Sequence, residues 1–546
     1  MSSVLEDVAA ELKRRKREED LAIPASLGEL VRDQAALYGD QTAAVWFEQD
    51  RSLTYRQLDR MANALASSLL RRGVRKGCHV AVLLGNRPSF PVTWIALSRL
   101  GAAMVPVNTA YTSEELEFIL RDSDAQFLII DATHEPKLEP VLARLELLDP
   151  SRVFVDGQEG HPNAWQTLVD EGDPEFLPDT PTTLAEILNI QYTSGTTGFP
   201  KGCLLTNEYW MIHAHNSARH RRPENGGIKN VLIWAPFFYM DPMWQFLMTI
   251  KLGGTCWIAD RMSLSRFMSW LIDYQIDYCI FPEPVLSAHP PSERDKQTCL
   301  KYVSVYNWTQ QARREVQERF NVIAREAYGM TEIGTGTLVP AWASQMALLT
   351  TCGLPAAFRE LRICNDDGSE TEAGGVGELW VRGRGIFLGY YKRPAANADS
   401  FRGPWFRTGD LFRKDEHGFY YLVGRIKEMI KRSGENIAAN EVEAVLRSCP
   451  GISEAAVVPV PDPLRKEEVK AYIKLKPEVS ASEVPPELVL AHCAKHLAAF
   501  KVPRYLRYID GDFPRTPSRK IAKKRLLQEN QDPLQNTYDA QQRRWL

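Results

Sequence analysis

The chain has 546 residues, 44% hydrophobic and 25% charged, with a formal net charge of -3 at pH 7. A single core stops growing near roughly 250 to 300 residues, so this length predicts two to four packed units. The composition excludes a largely disordered chain, and the small net charge excludes recruitment of nucleic acid or an anionic membrane by global field alone.

In chain order, the first twenty residues are charged and contain Lys13-Arg14-Arg15-Lys16-Arg17. They lack the apolar segment and small-residue cleavage site of a secretory signal, and predict a solvated helix. Residues 52–55 lead into a helical pattern over 56–72. A short apolar strand follows at 79–84, then a helical stretch to 100 and a strand at 103–107. Further strands at 127–130, 231–234 and 279–281 continue the alternation expected of layered α/β domains with largely buried strands. From Gly377 the texture changes: 378–381 and 418–423, among Gly and Pro, predict short strands in a small β-rich subdomain. Beyond residue 427 lies a segment of about 120 residues, sized for an independent α+β unit. It contains helices at 441–447 and 487–497 and strands at 455–460 and 469–475. The predicted fold class is α/β, with a large N-terminal domain of layered α/β subdomains plus the β-rich subdomain, and a small C-terminal α+β domain.

No run reaches the roughly 18 apolar residues needed to span a bilayer; 231–252 is interrupted by Pro236, Asp241, Pro242, Gln245 and Lys251. The nine cysteines are scattered and form no CxxC pair, which favours reduced thiols over a disulfide framework or zinc site. The expectation is a cytoplasmic protein with no transmembrane segment and no nucleic-acid partner; its oligomeric state is left open.

After an apolar approach at 187–190 comes Tyr192-Thr193-Ser194-Gly195-Thr196-Thr197-Gly198-Phe199-Pro200-Lys201-Gly202. Glycines let backbone N–H groups approach a phosphate, hydroxyls donate further hydrogen bonds, and Lys201 adds a point charge. Because Gly202 follows Lys201, this is not the GxxxxGK[ST] loop. The stretch is either a polyphosphate cradle or a flexible turn. Tyr328-Gly329-Met330-Thr331-Glu332 groups an aromatic face, a hydroxyl and a carboxylate, suited to adenine, phosphate and Mg2+. Alternatively, Tyr328 is core and Glu332 begins a helix. Thr408-Gly409-Asp410, alone a turn, can accept from ribose hydroxyls, and Arg425 in Gly424-Arg425-Ile426-Lys427 adds a charged donor. Lys520 lies in a basic stretch, 515–525, that by itself reads as a solvated face or nucleic-acid patch.

Together these five motifs resemble, in order and over nearly the whole chain, those of the adenylate-forming superfamily. That superfamily includes acyl-CoA synthetases, peptide-synthetase adenylation domains and firefly-type luciferases. Its loop pattern YTSGTTGxPKG is matched at every specified position by residues 192–202. The resemblance implies an N-terminal AMP-binding domain over 1–426, a hinge at Lys427 and a mobile C-terminal domain over 428–546. It implies ATP or AMP contacts at Thr193, Ser194, Gly195, Thr196, Thr197, Gly198, Lys201, Tyr328, Gly329, Thr331, Asp410 and Arg425. Lys520, Thr331 and Glu332 are implied to be catalytic, with Mg2+ on Glu332, and Lys431 and Gly434 to line a CoA route. The implied reaction is two-step: a carboxylic acid and ATP form an acyl-adenylate, then a thiol displaces AMP. CoA is the expected acceptor, because little chain follows Lys520 to supply a carrier domain. Where the family usually has Gly before this lysine the chain has Arg519. With the altered acyl pocket, that departure keeps a catalytically silent nucleotide-binding protein as the alternative of another class.

The family's acyl pocket is built largely from the segments following Ala235-Pro236 and preceding Tyr328. Here they carry Tyr239, Asp241 and Trp244, with Tyr239 where many relatives have His, and Tyr306 and Trp308, where relatives often have a glycine-rich run. Bulk in place of space predicts a short or compact acid, with a medium-chain fatty or aryl acid as the alternative. The aromatics, with Asp241 and Glu283, read either as a cage for a quaternary ammonium or as ordinary core. Residues 238–241 and 429–436 look closest to the crotonobetaine/carnitine-CoA ligase branch.

Overall fold

The computed structural model describes residues 2–546 except 159, 162, 194–199, 222–225, 307, 434, 517–519 and 529–531. The chain divides into two compact units, Met1–Glu360 with Val381–Trp405, and Leu361–Trp380 with Phe406–Leu546.

Among the described residues, the first unit holds two large sheets and one small one. One large sheet has the strand order Ile323–Arg325, Tyr302–Ser304, Tyr278–Ile280, Asn230–Ile233, Thr255–Ile258, Thr42–Trp46, Arg51–Thr54. It is parallel except at the Arg51–Thr54 edge. The other runs Val153–Asp156, Phe127–Asp131, His79–Leu83, Ala103–Pro106, Ile187–Thr193, Lys201–Thr206, and only its last pair is antiparallel. Phe127–Asp131 is buried at every position, as strands covered on both faces must be. The helix Tyr55–Arg71 opens with a capping box of Thr54 and Gln57, satisfying two otherwise orphaned backbone donors. The small sheet, Ala327–Met330, Gly334–Leu338 and Leu354–Pro355, is antiparallel.

Two helices of this unit depart from what their sequences suggest. The N-terminal helix Ser2–Glu18 forms, and Lys13, Arg14, Lys16 and Arg17 are exposed as expected, but one face is not solvated: Glu11, Arg15 and Glu18 are all buried. Arg15 donates to the carbonyls of Leu338, Leu354 and Pro355 and pairs with Glu11. The basic run hides this, because its counter-charges lie one turn back on the same helix and its acceptors come from strands more than three hundred residues away. Asn207–His220 is capped by Thr206, whose hydroxyl accepts from the Tyr209 N–H at 3.2 Å. It is buried on every side, with His213, His215, Asn216, Ser217 and His220 inside alongside Tyr209, Trp210 and Ile212. A helix apolar all round needs no comment in an interior; one carrying this many polar side chains does.

In the second unit, Gly377–Arg382, Trp405–Lys414 and Tyr420–Arg425 belong to the expected β-rich sheet. The C-terminal sheet is built on the long antiparallel pair Ile452–Asp462 and Lys466–Leu475. Helices Ala439–Ser448 and Pro486–His496 contribute Val442, Leu446, Val489 and Cys493 to its core. Among the described residues no helix is long and apolar enough to cross a membrane.

Candidate active site

In the first unit, Ile187–Thr193 and Lys201–Thr206 pair with Thr193 opposite Lys201. Ser194, Gly195, Thr196, Thr197 and Gly198 of the expected cradle lie outside the described residues. At its base the Lys201 ammonium sits 3.9 Å from the centroid of the Tyr390 ring. The Tyr390 hydroxyl in turn donates to Glu332 Oε1 at 2.7 Å. Burial, reinforced by the Glu332 charge, pushes the Tyr390 pKa well up, so the phenol remains a donor. One buried ring thus carries a cation on its face and a carboxylate at its hydroxyl.

Glu332 reaches this position because Ala327–Met330 reverses into Gly334–Leu338 through the Thr331–Ile333 turn; it does not begin a helix. The turn is tight. A Cβ on Gly329 would stand 2.4 Å from the Gly334 carbonyl oxygen, which only glycine avoids. The Phe387 N–H holds the Glu332 carbonyl at 2.8 Å. Tyr328 is buried, its hydroxyl donating to Met330 Sδ at 3.6 Å.

The acyl-side residues lie around the interior helix. His213 stacks on Trp210 and on Trp244, with centroids 6.4 and 5.8 Å apart. The Trp244 indole N–H donates to Asp241 at 2.9 Å. The Arg221 guanidinium lies 4.5 Å over Trp244 and 5.8 Å over Tyr278, donates to Ser304 Oγ at 3.2 Å, and is hydrogen-bonded with Tyr306. Trp244, Asp241 and Tyr306 are therefore brought together. Tyr239 faces elsewhere, accepting from the Asn108 amide at 3.2 Å. Trp308 lies in the core edge-on to Phe281 at 6.0 Å, and Glu283 acts on Arg313.

In the second unit, the Thr408 hydroxyl donates to the Leu379 carbonyl at 2.7 Å, and the Gly409 N–H donates to Glu378 at 3.0 Å. Gly409 has φ +70°, a left-handed turn. This presents Asp410 opposite Arg425 on the neighbouring strand, paired at 3.1 Å. Lys427 is exposed in the short helix Ile426–Glu428, and Lys431 is exposed on Met429–Arg432; Gly434 is outside the described residues. Lys520 is tied to Thr516, whose N–H donates to the Lys520 carbonyl at 2.8 Å and whose hydroxyl accepts from the Lys520 N–H at 3.2 Å. Arg519 is not described.

The sequence pattern of the AMP-binding enzyme family matches residues 31–391, and that of the AMP-binding enzyme C-terminal domain matches 441–520. The chain belongs to the AMP-binding enzyme family. It is 30% identical over 524 residues to the crotonobetaine/carnitine-CoA ligase of Citrobacter koseri, covering 93% of this chain and 100% of that one. The corresponding ligase of Proteus mirabilis is 30% identical over 518 residues, with 90% and 97% covered. The solved o-succinylbenzoate CoA synthetase of Bacillus subtilis, in complex with its acyl-adenylate, is 26% identical with a TM-score of 0.78, covering 93% and 98%. An anthranilate CoA ligase structure shares the fold, with a TM-score of 0.83 at 22% identity over 94% and 98% of the two chains. This AMP-binding enzyme is an AMP-forming acyl-CoA ligase.

Motif reasoning missed Tyr390, His213 and Arg221. Tyr390 stands in a plain Gly389-Tyr390-Tyr391 run, and Arg221 lies inside a basic run, 219–222, that resembles a solvated surface. Only for the helix was there a signal, in the alternation of aromatic and imidazole side chains at 209–215.

Proposed function

We propose that this AMP-binding enzyme converts a compact carboxylic acid to its acyl-CoA in two half-reactions. In the first, a substrate carboxylate oxygen attacks the α-phosphorus of ATP and pyrophosphate leaves. In the second, the CoA thiol attacks the acyl carbon, loses its proton, and AMP leaves. The observation that carries this reading is the Lys201, Tyr390 and Glu332 cluster at the base of the 193–201 segment: a fixed cation and a fixed carboxylate where a triphosphate would be gripped.

In this reading Thr193 and Ser194 to Gly198 bind phosphates with Lys201, Tyr328 and Gly329 flank the adenine, and Thr331 reaches the α-phosphate. Asp410 accepts from the ribose and Arg425 steadies it. Lys520 offsets charge building between carboxylate and α-phosphate, Lys427 is the hinge between 1–426 and 428–546, and Lys431 and Gly434 line the thiol route. Glu332 fits Mg2+: it is a buried hard-oxygen donor, and no group of three or more His, Cys, Asp or Glu among the described residues offers a separate metal site. Mg2+ there would neutralise phosphate charge, using one carboxylate and the nucleotide's own oxygens.

A betaine-type acid is the second reading, favoured by the names of the relatives at 30% identity and by Asp241 beside Trp244. ATP–pyrophosphate exchange driven by a panel of acids, followed by assay of acyl-CoA on addition of CoA, tests both. Exchange with at least one compact acid is expected. No exchange with any acid would favour the silent nucleotide-binding alternative, and carnitine or crotonobetaine turning over no better than hexanoate or benzoate would remove the betaine.

A further inference from the structure

Six arginines are buried among the described residues: Arg15, Arg99, Arg221, Arg313, Arg325 and Arg359. Five of them are saturated by strong acceptors. Arg15, Arg99 and Arg313 each reach a carboxylate and at least one carbonyl. Arg325 and Arg359 are wrapped by backbone carbonyls. Among the described residues Arg221, 3% exposed, meets hydroxyls and ring faces only, and its Nη1 has no partner. Among the described residues no carboxylate pairs with it. Nor do the surrounding phenols supply charge: burial pushes Tyr306 up to about 12 and Tyr278 further, so both are neutral.

Arg221 also belongs to a pattern. His213, Ser217 and Arg221 are spaced by four and share one face of the interior helix and its C-terminal cap. Each carries a buried polar atom without a partner: His213 Nδ1, Ser217 Oγ and Arg221 Nη1. Burial, with Arg221 adding to it, lowers the His213 pKa to about 3, so the imidazole is neutral and the stripe carries one positive charge at its far end. The near end abuts the phosphate side, since a side chain on Gly334 would meet His213 Nδ1 at 3.4 Å. Eight residues of helix set the ends about 12 Å apart. A buried guanidinium lacking an anion is costly, and an incoming anion is the group that offsets it.

We propose that Arg221, assisted by Ser217, binds a second carboxylate on the acid substrate, so that the enzyme activates a dicarboxylic acid through the end nearer Glu332. This rests on the ligase reading and narrows it: a quaternary ammonium would be repelled where a carboxylate is held.

The test uses the full-length protein and matched probes: glutarate against pentanoate, adipate against hexanoate, and carnitine, each in ATP–pyrophosphate exchange. At least tenfold higher kcat/KM for a diacid than for its monoacid is expected. Arg221→Met should bring that ratio down at least tenfold, to near one, with Arg221→Lys restoring part of it. Calorimetric titration of ATP into each variant verifies that it is folded. Parity between diacid and monoacid, preference for carnitine, or an unchanged ratio in Arg221→Met would overturn the proposal while leaving the ligase reading intact. Should no acid support exchange, the ligase reading fails and calorimetry with glutarate decides: binding lost in Arg221→Met upholds the anion site, and equal or absent binding in both proteins rejects it.

Discussion

Glu332 acts through a hydrogen bond that no local motif contains. Tyr390, 58 residues further along, fixes one carboxylate oxygen and offers its face to Lys201. A hydrogen bond to a charged group contributes about 1.5–3 kcal/mol, so Tyr390→Phe, which keeps the ring and removes the hydroxyl, is expected to slow ATP–pyrophosphate exchange roughly 10- to 100-fold. Because Tyr390 positions Glu332 without touching the reacting atoms, the loss should shrink as Mg2+ is raised; a loss independent of Mg2+ would point to a merely structural role. Motif reading reached Lys201 and Glu332 because their spacing within short segments is fixed. It could not reach Tyr390, whose part depends on the chain folding back on itself.

At the scale of elements, two polar features of the first unit are structural, one buried and one near the surface. Arg15 joins the N-terminal helix to carbonyls of Leu338, Leu354 and Pro355. Arg15→Met would leave those carbonyls without their donor and Glu11 with Arg14 as its remaining partner, and is expected to cost about 3 kcal/mol, measured as a lower urea midpoint. Glu186, at the entry to Ile187–Thr193, accepts from Thr183 and pairs with Lys76, and its pKa is held down to about 2 against an ordinary 4.5 despite partial burial. A depressed carboxylate stabilises the fold fully above its ordinary pKa and loses that contribution as pH falls toward the folded value. The stability gap between the wild type and Glu186→Gln should therefore be constant from pH 7 to about 5 and close between pH 4.5 and 2, as followed by denaturation at each pH. A gap that widened on acidification would contradict the assignment.

For the whole molecule, the division of labour between the two units concerns Lys520. The Thr516 contacts hold the Lys520 backbone within the second unit, while Lys201, Glu332 and the interior helix belong to the first. In the proposed mechanism Lys520 serves only the adenylation step, so Lys520→Ala should depress acyl-adenylate formation by at least 100-fold, yet leave thiol attack on supplied acyl-adenylate within a few-fold of the wild type. Equal loss in both half-reactions, measured separately by pyrophosphate exchange and by acyl-CoA release, would reject the assignment.

The sequence by itself determined the α/β class, the positions of the more strongly patterned helices and strands, and membership of the adenylate-forming superfamily, because periodicity and motif spacing are local properties of the chain. The N-terminal helix was readable as a helix but not as one with a buried polar face, since burial is decided by what packs against it. The pocket was readable only as bulky. Tertiary structure put Trp308 into the core, turned Tyr239 toward Asn108, and set Arg221, which in sequence is one more charge in a basic run, over Trp244 with no carboxylate partner among the described residues. Whether a charge is solvated, paired or waiting for a ligand depends on neighbours distant in the chain, and only the folded structure supplies them.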